Sequence, residues 1–332
     1  MIRSASIFFL AALSFLTGCN DRNDLSPYNE LLSQPPYNAL TDSIHQNPSD
    51  AELYYHRGVL LAKNNNNPPA LADLRKAWSL EKKEKYAIEI SDLLSNEKPD
   101  SAILFLTEAL NLLPQTVSLQ LKLAQVYFDQ QKKDEALNLC NKIIQQRPNQ
   151  VNALILKSDI LEEKNDTAGS IQTLEQAYFF APFYEELCYN LAFKYAENKN
   201  PVVLSLCDSL QHADSLNEKA EPYYFRGLYF SNTNQKEKAL SFFDQAIQHN
   251  YYYMNAYIEK GKILFDQKKI NNALKVFELA EKISPTFPDS YYWVGRCWEV
   301  FGQKAEAKLN YERAYGLDKT FTEAKDAAER LK

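Results

Sequence analysis

Small residues recur along this chain at intervals of 32 to 36 residues, and this period restricts the fold more than any other feature. A period of this length is typical of stacked helix pairs, in which small side chains let two helices approach closely. One series is Ala70, Ala102, Ala136, Ser170, Val203, Ala239, Ala273 and Ala307. A second, seven residues further on, is Ala77, Ala109, Ile143, Ala177, Leu210, Ala246, Ala280 and Ala314.

Other positions keep the same period. A small residue stands about twelve residues before most members of the first series, as at Gly58, Gly227, Gly261 and Gly295. Large aromatic residues such as Phe243 are available to fill the space that these small residues leave. Prolines follow where a second helix must stop, because proline cannot continue a helix. These are Pro114, Pro148, Pro182 and Pro285.

This order of small, aromatic and proline positions resembles the tetratricopeptide repeat. The resemblance implies an all-α fold, a right-handed α-solenoid of about eight helix-turn-helix repeats with a C-terminal capping helix over 320–332. It also predicts a partial repeat helix over 37–50. The eight predicted repeats are 51–82, 83–116, 117–150, 151–184, 185–219, 220–253, 254–287 and 288–319.

The fifth repeat matches this pattern least well. It has Leu210 where most of the other repeats have Ala, and it lacks the terminal proline. Val203, Leu206, Cys207 and Leu210 nevertheless keep helical spacing, so we predict a helix pair there as well.

The first eighteen residues predict a secretory leader. Arg3 is followed by the apolar run from Ile7 to Phe15, which is too short to span a bilayer. The next residues, Leu16-Thr17-Gly18-Cys19, resemble a bacterial lipobox. That resemblance implies cleavage before Cys19 and a mature chain that begins at this residue with two or three acyl chains, which makes membrane anchoring stable. The alternative is an ordinary leader with a chance cysteine.

Residues 19–36 are polar and contain proline, which predicts a flexible tether with a reach of roughly 25 Å. Asn20 does not match the aspartate that retains lipoproteins in the inner membrane of enteric bacteria. We therefore expect the outer membrane, at its periplasmic face or at the cell surface.

The composition favours a folded binding protein. The apolar fraction of 45% is typical of globular proteins, and the net charge of −6 disfavours nucleic acid as a partner. The four histidines stand far apart, and no phosphate-binding loop, His-Glu-x-x-His or Cys-x-x-Cys motif occurs in the sequence. We expect no catalytic residues, no metal and no cofactor.

Four cysteines follow Cys19, at 140, 188, 207 and 297. In the tetratricopeptide fold the positions of Cys188 and Cys207 face each other, so the resemblance implies a possible disulfide between them. The alternative is that both are small buried apolar residues.

Proteins of this family bind ligands along a concave groove lined by the first helix of each repeat. Here the matching positions are aromatic or aliphatic with an acidic edge, richest from repeat five to repeat six. Such a groove suits a peptide with apolar anchors, but the same aromatics could pack between neighbouring helices. The predicted groove residues are Glu52, Tyr55, Val59, Leu121, Ile155, Glu186, Tyr189, Phe193, Glu221, Tyr224, Leu228 and Tyr292.

We therefore expect a lipid-anchored scaffold or adaptor in the bacterial cell envelope that binds other envelope proteins or peptides through this groove. The alternative is a surface or periplasmic lipoprotein that binds glycans or other ligands for nutrient uptake, since aromatic side chains can stack on sugars. The sequence leaves the oligomeric state open.

Overall fold

The structure, a computed structural model, describes residues 27–331 except 215 and 217. The predicted leader over 1–18, the predicted lipidation site at Cys19 and the first part of the predicted tether lie outside the described residues. Within the described residues the chain forms nineteen α-helices and no strand, which confirms the all-α prediction. None of the described helices is long and apolar enough to cross a membrane.

Contacts divide the chain into two units, the first reaching Val126 and the second beginning at Tyr127. In the first unit α3 packs on α4, α4 on α5 and α5 on α6, so helices adjacent in sequence are adjacent in space. Its helices are α1 (Asn29–Leu32), α2 (Asn38–Gln46), α3 (Ala51–Lys63), α4 (Asn67–Leu80), α5 (Glu84–Glu97) and α6 (Pro99–Leu112). The boundary falls within α7 (Val117–Asp129).

The second unit follows the same serial packing from α8 to α19. Its helices are α8 (Lys133–Gln146), α9 (Val151–Glu163), α10 (Thr167–Phe180), α11 (Glu185–Glu197), α12 (Val202–Ala213), α13 (Glu221–Asn232), α14 (Lys236–His249), α15 (Met254–Asp266), α16 (Ile270–Ile283), α17 (Pro288–Val300), α18 (Lys304–Leu317) and α19 (Thr322–Arg330). Each unit is thus a stack of helix hairpins, as expected for an α-solenoid.

Within a hairpin, a glycine on the first helix receives a large side chain from the second. A Cβ placed on Gly227 of α13 would lie only 2.5 Å from a ring carbon of Phe243 on α14. Gly261 and Phe277 form the same contact between α15 and α16, where the overlap would be greater. Both rings are fully buried, so the ring fills the space that the missing side chain leaves.

The turns inside the hairpins share a backbone feature. Each of seven turns holds one residue with positive φ, a conformation that glycine and asparagine adopt most readily. These residues are Asn65, Gln131, Asn165, Lys199, Asn234, Lys268 and Gly302. One left-handed residue reverses the chain and lets a second helix start within three or four residues.

The segment before the first hairpin is folded, in contrast to the predicted flexible tether over 19–36. From residue 27 onward it includes α1, and Tyr28, Leu31 and Leu32 pack in one apolar cluster with Leu61 of α3. Leu32 is buried because the chain turns back over the first hairpin. The described part of the tether is therefore part of the first unit.

Buried hydrogen bonds hold this segment in place. Arg57 donates through Nε and Nη2 to the two carboxylate oxygens of Asp73, at 2.6 and 2.8 Å. Its third bond, from Nη1, goes to the hydroxyl oxygen of Thr41 on α2 at 2.9 Å. Thr41 in turn donates to the carbonyl oxygen of Leu32 at 2.8 Å. A buried ion pair whose third guanidinium nitrogen also donates a hydrogen bond fixes α2 against the first hairpin.

The close packing of Gly261 against Phe277 predicts how an added methyl group changes the free energy of unfolding. Gly261→Ala should lower the free energy of unfolding by about 1–3 kcal/mol, because the new Cβ overlaps the buried ring of Phe277. Chemical denaturation followed by circular dichroism measures this change. Gly316→Ala is the control, since no atom lies within 4 Å of the added Cβ, and it should leave stability unchanged or raise it slightly. Equal losses in the two variants would contradict the packing argument.

Candidate binding site

Two of the predicted groove residues belong to the core instead. Tyr224 and Leu228 are 8% and 5% exposed, and both lie in the apolar cluster that runs from α9 to α15. The ring of Tyr224 is 5.2 Å from that of Tyr253 and 5.9 Å from that of Phe243. Neighbouring helices cover these two residues, so they offer little surface to a ligand in this structure.

Other predicted groove aromatics also pack between helices. Tyr55 lies 5.2 Å from the ring of Tyr86, and Tyr292 lies 5.0 Å from that of Phe321. Glu52 accepts hydrogen bonds from Lys83, Lys85 and Tyr86, and the two lysines lower its pKa to about 2. These residues connect one helix pair to the next. The packing alternative describes them better than a ligand groove.

The remaining predicted groove residues divide by exposure. Phe193 is 44% exposed, and Glu186 is exposed with its carboxylate accepting from the hydroxyl of Tyr184 at 3.0 Å. The half-buried ones are Val59, Leu121, Ile155, Tyr189 and Glu221. Open surface near the predicted groove is therefore concentrated on α11, where Tyr189 and Phe193 lie one turn apart.

Cys188 and Cys207 are free and buried, so the structure contains no disulfide between them. The thiol of Cys188 donates to the carbonyl oxygen of Pro182 at 3.3 Å. Burial raises the pKa of Cys188, and it raises the pKa of Cys207 to about 12. Both act as small apolar side chains, and neither forms the thiolate that nucleophilic chemistry requires.

A cleft of about 440 Å³, which we call the edge cleft, lies in the second unit beside α11 and α12. It coincides with the fifth repeat. There α12 ends at Ala213, and seven residues precede α13 where the neighbouring repeats use four. Leu210 is half-buried in the wall, whereas Ala246, Ala280 and Ala314 at the matching positions are fully buried. The lining residues are Tyr178, Pro182, Phe183, Glu185, Cys188, Tyr189, Leu206, Ser209, Leu210, Ala213, Asp214 and Lys219.

Four aromatic side chains project next to this edge cleft. Phe179 and Phe183 are 80% and 92% exposed, and Phe180 and Tyr184 are each 40% exposed. We call these four residues the aromatic lip. They stand at the end of α10 and in the four-residue turn that leads to α11. Grouped apolar side chains of this size on a soluble surface mark interaction sites more often than isolated ones do.

Carboxylates surround the polar side of the edge cleft. Glu185 is hydrogen-bonded to Lys219 and accepts from the hydroxyl of Tyr189 at 2.5 Å, and these bonds lower the pKa of Glu185. Asp214 accepts from the backbone N–H of Lys219 at 2.8 Å, which lowers the pKa of Asp214. Burial and the bond to Glu185 raise the pKa of Tyr189, so its hydroxyl remains a donor. At neutral pH the cleft therefore holds two carboxylates and one lysine.

No group of three His, Cys, Asp or Glu side chains within the described ranges is arranged to hold a metal ion. The edge cleft instead combines apolar walls, exposed rings and ionised carboxylates. Such a surface is suited to contacts by shape, apolar packing and charge.

The aromatic lip was not among the predicted site residues. The run from Phe179 to Tyr184, with only Ala181 and Pro182 between the aromatics, stands where one helix ends and the next begins. Turns at such places are usually polar. Four aromatic residues at such a turn are visible in the sequence and mark an unusual surface, but the repeat period alone does not point to them.

Family models described as "Tetratricopeptide repeat" match residues 93–160, 220–250 and 255–287. The three matched ranges include most or all of the predicted third, sixth and seventh repeats. No curated protein matches the chain.

Solved structures share the fold. A tetratricopeptide repeat protein from Parabacteroides merdae is 16% identical, with a TM-score of 0.62 over 74% of this chain and 98% of that one. The APC/C hetero-tetramer Cut9-Hcn1 is 13% identical, with a TM-score of 0.49 over 87% of this chain and 57% of that one. The first of these likenesses shows a common solenoid architecture.

The hydrogen bonds to Glu185 predict how its pKa changes when Lys219 is replaced. Since its folded pKa is lowered, its stabilising interactions are complete at neutral pH and are lost as pH falls through that lowered value. Lys219→Met should return the pKa of Glu185 toward its ordinary value of about 4.3. Carboxyl-carbon NMR titration measures it. Lys199→Met, at the far end of α11, should leave it unchanged, and an unchanged pKa in Lys219→Met would contradict the assignment.

Proposed function

The chain is a tetratricopeptide repeat protein, and from this premise we propose that it is a lipid-anchored interaction scaffold in the bacterial cell envelope. Its repeats support protein–protein interaction as the general role. The finer part of the proposal is that envelope proteins or peptides bind at the edge cleft and the aromatic lip of the second unit.

The single observation that carries this proposal is the exposure of the aromatic lip. Phe179 and Phe183 each leave most of a ring in water, although burying a phenylalanine side chain is worth about 1.5–3 kcal/mol. Aromatic residues are enriched in protein interfaces, where a partner covers them. A partner that covers the lip would gain this free energy on binding.

Chemistry at the site favours binding over catalysis. Tetratricopeptide repeat proteins are typically non-enzymatic scaffolds. The thiol of Cys188, which lines the edge cleft, has a pKa raised by burial. The hydroxyl of Tyr189 is bonded to Glu185 and also has a raised pKa. Neither group is activated as a nucleophile, so we assign the protein a non-catalytic role.

Sequence alone supports the location. Leu16-Thr17-Gly18-Cys19 follows a charged and then apolar leader, as lipid attachment at Cys19 requires. More than one acyl chain makes membrane anchoring stable. Asn20 after Cys19 favours the outer membrane, at its periplasmic face or at the cell surface.

Cys19→Ala tests the anchor. The variant should move from the membrane fraction to the soluble fraction and should no longer incorporate labelled palmitate, because the acylated atom is gone. Cys188→Ala is the matched control, since this thiol is buried in the second unit, and it should fractionate like the native protein. Retention of both label and membrane association in Cys19→Ala would overturn lipid anchoring at this residue.

Removal of the aromatic lip tests the scaffold. Crosslinking in intact cells, followed by purification and mass spectrometry, should recover envelope proteins with the native chain. Phe179→Ser combined with Phe183→Ser should reduce that recovery about tenfold or more, since interface energy is concentrated in few aromatic residues. Tyr251→Ser combined with Tyr252→Ser, at an exposed turn two repeats further on, should leave recovery unchanged.

Equal recovery by the lip variant and the native chain would reject the edge cleft as the binding site. Failure of the native chain to recover any protein, together with its retention on an oligosaccharide array, would replace the scaffold with the glycan-binding alternative.

A further inference from the structure

The edge cleft and the aromatic lip offer a partner two different kinds of contact. Leu206 and Leu210 form an apolar wall, and Phe183 projects beside it into solvent. The volume of about 440 Å³ lies in the range of pockets that enclose side chains or small ligands. One or two apolar side chains of a partner can therefore be buried there, with the rings of the lip packed against them.

Charge around the edge cleft is strongly one-sided. Between residues 175 and 221 the sequence has eight Asp or Glu and three Lys. Of the eight carboxylates, Asp208 pairs with Arg226, and Glu197 lies at the far end of α11. Lys219 already pairs with Glu185, and Lys194 pairs with Glu162 at 3.0 Å. The third, Lys199, lies beyond the far end of α11, about 20 Å along the helix. Beside the cleft itself, the carboxylates of Glu185, Glu186, Asp214 and Glu221 outnumber the one lysine, Lys219.

Glu185 and Asp214 line the edge cleft together with the apolar wall. Glu185, Asp214 and Glu221 lie near enough to Tyr189 that their negative charges add to the effect of burial in raising the pKa of its hydroxyl. Glu186 accepts a hydrogen bond from Tyr184 and so adjoins the aromatic lip. Apolar and negative surfaces therefore meet at one place.

From this juxtaposition, we infer that the edge cleft binds a basic segment of a partner protein, one in which Lys or Arg residues flank one or two large apolar side chains. The inference rests on the proposed scaffold function and names the chemistry of its partner. The apolar side chains enter the cleft, and the cations face the carboxylates. Lys or Arg can also stack on the rings of Phe183 and Tyr184.

Charge excludes the other large surfaces that could cover an aromatic lip. Anionic membranes attract basic protein segments, and nucleic acids require positive charge to neutralise phosphate. An edge rich in carboxylates is repelled by both. A basic protein segment satisfies the carboxylates and covers the rings at the same time.

Three synthetic twelve-residue peptides test this inference on the full chain in detergent micelles. One contains Lys and Leu, one Glu and Leu, and one Lys and Ser, and each carries a photo-crosslinking group and a fluorescent label. Fluorescence anisotropy measures binding, with micelles lacking protein as the blank. The Lys–Leu peptide should bind at least tenfold more tightly than the other two, crosslink within 178–219, and weaken as salt rises.

Two sets of variants separate the charge contribution from the apolar one. Glu186→Gln with Glu221→Gln should weaken binding of the Lys–Leu peptide about tenfold, since two opposing charges are lost. Phe183→Ser, at a side chain in solvent, should weaken it to a similar extent without disturbing the fold. Glu237→Gln with Glu278→Gln, on α14 and α16, and Tyr252→Ser are the matched controls and should bind as the native chain does.

Equal binding of the Lys–Leu and Glu–Leu peptides, no binding of the Lys–Leu peptide above the blank, or full binding by the cleft variants would overturn the inference. If the lip variant still loses its partners in cells while the peptides fail, the scaffold stands and only the basic partner is rejected. If both experiments fail, the edge cleft is rejected as a binding site altogether.

Discussion

Close contact between a small residue on one helix and a large side chain on the next sets the distance between the two helices of a hairpin. Phe243 and Phe277 occupy the space over Gly227 and Gly261, and both rings are fully buried. Because protein interiors are packed without spare volume, each pair fixes the distance between its two helices. Within each unit the hairpins then stack in sequence order, and this order determines which turns and helices lie side by side at the surface.

The edge cleft lies where this regular packing is least complete. In the fifth repeat, Leu210 and a seven-residue connection replace the buried alanine and the short turn of the neighbouring repeats. The aromatic lip lies on one side of the cleft. Acidic residues in the first turns of α11 and α13 lie near it. A departure from the repeat pattern has thus produced a surface with its own shape and charge, which is where a repeat protein can acquire specificity.

Periodicity predicted the fold well but did not predict which side chains are exposed. Helix starts and stops follow from small residues and prolines, so α13 to α18 lie where the 34-residue period puts them. Tyr224 and Leu228 were predicted to line a groove, but the pattern does not record how closely α11, α13 and α15 approach one another. Cys188 and Cys207 share a hairpin, yet being neighbours does not impose the geometry of a disulfide. Exposure of Phe183 likewise depends on three-dimensional neighbours that spacing does not reveal.

Packing of the residues before the first hairpin has a consequence for a chain attached to a membrane. Thr41 and Arg57 hold α2, and Tyr28 lies against the same cluster as Leu61. For a lipid carried on Cys19, only eight residues separate the attachment point from Tyr28, and a fully extended chain over these nine Cα–Cα steps spans at most about 30 Å. A chain anchored at Cys19 would therefore keep its first hairpin close to the membrane surface.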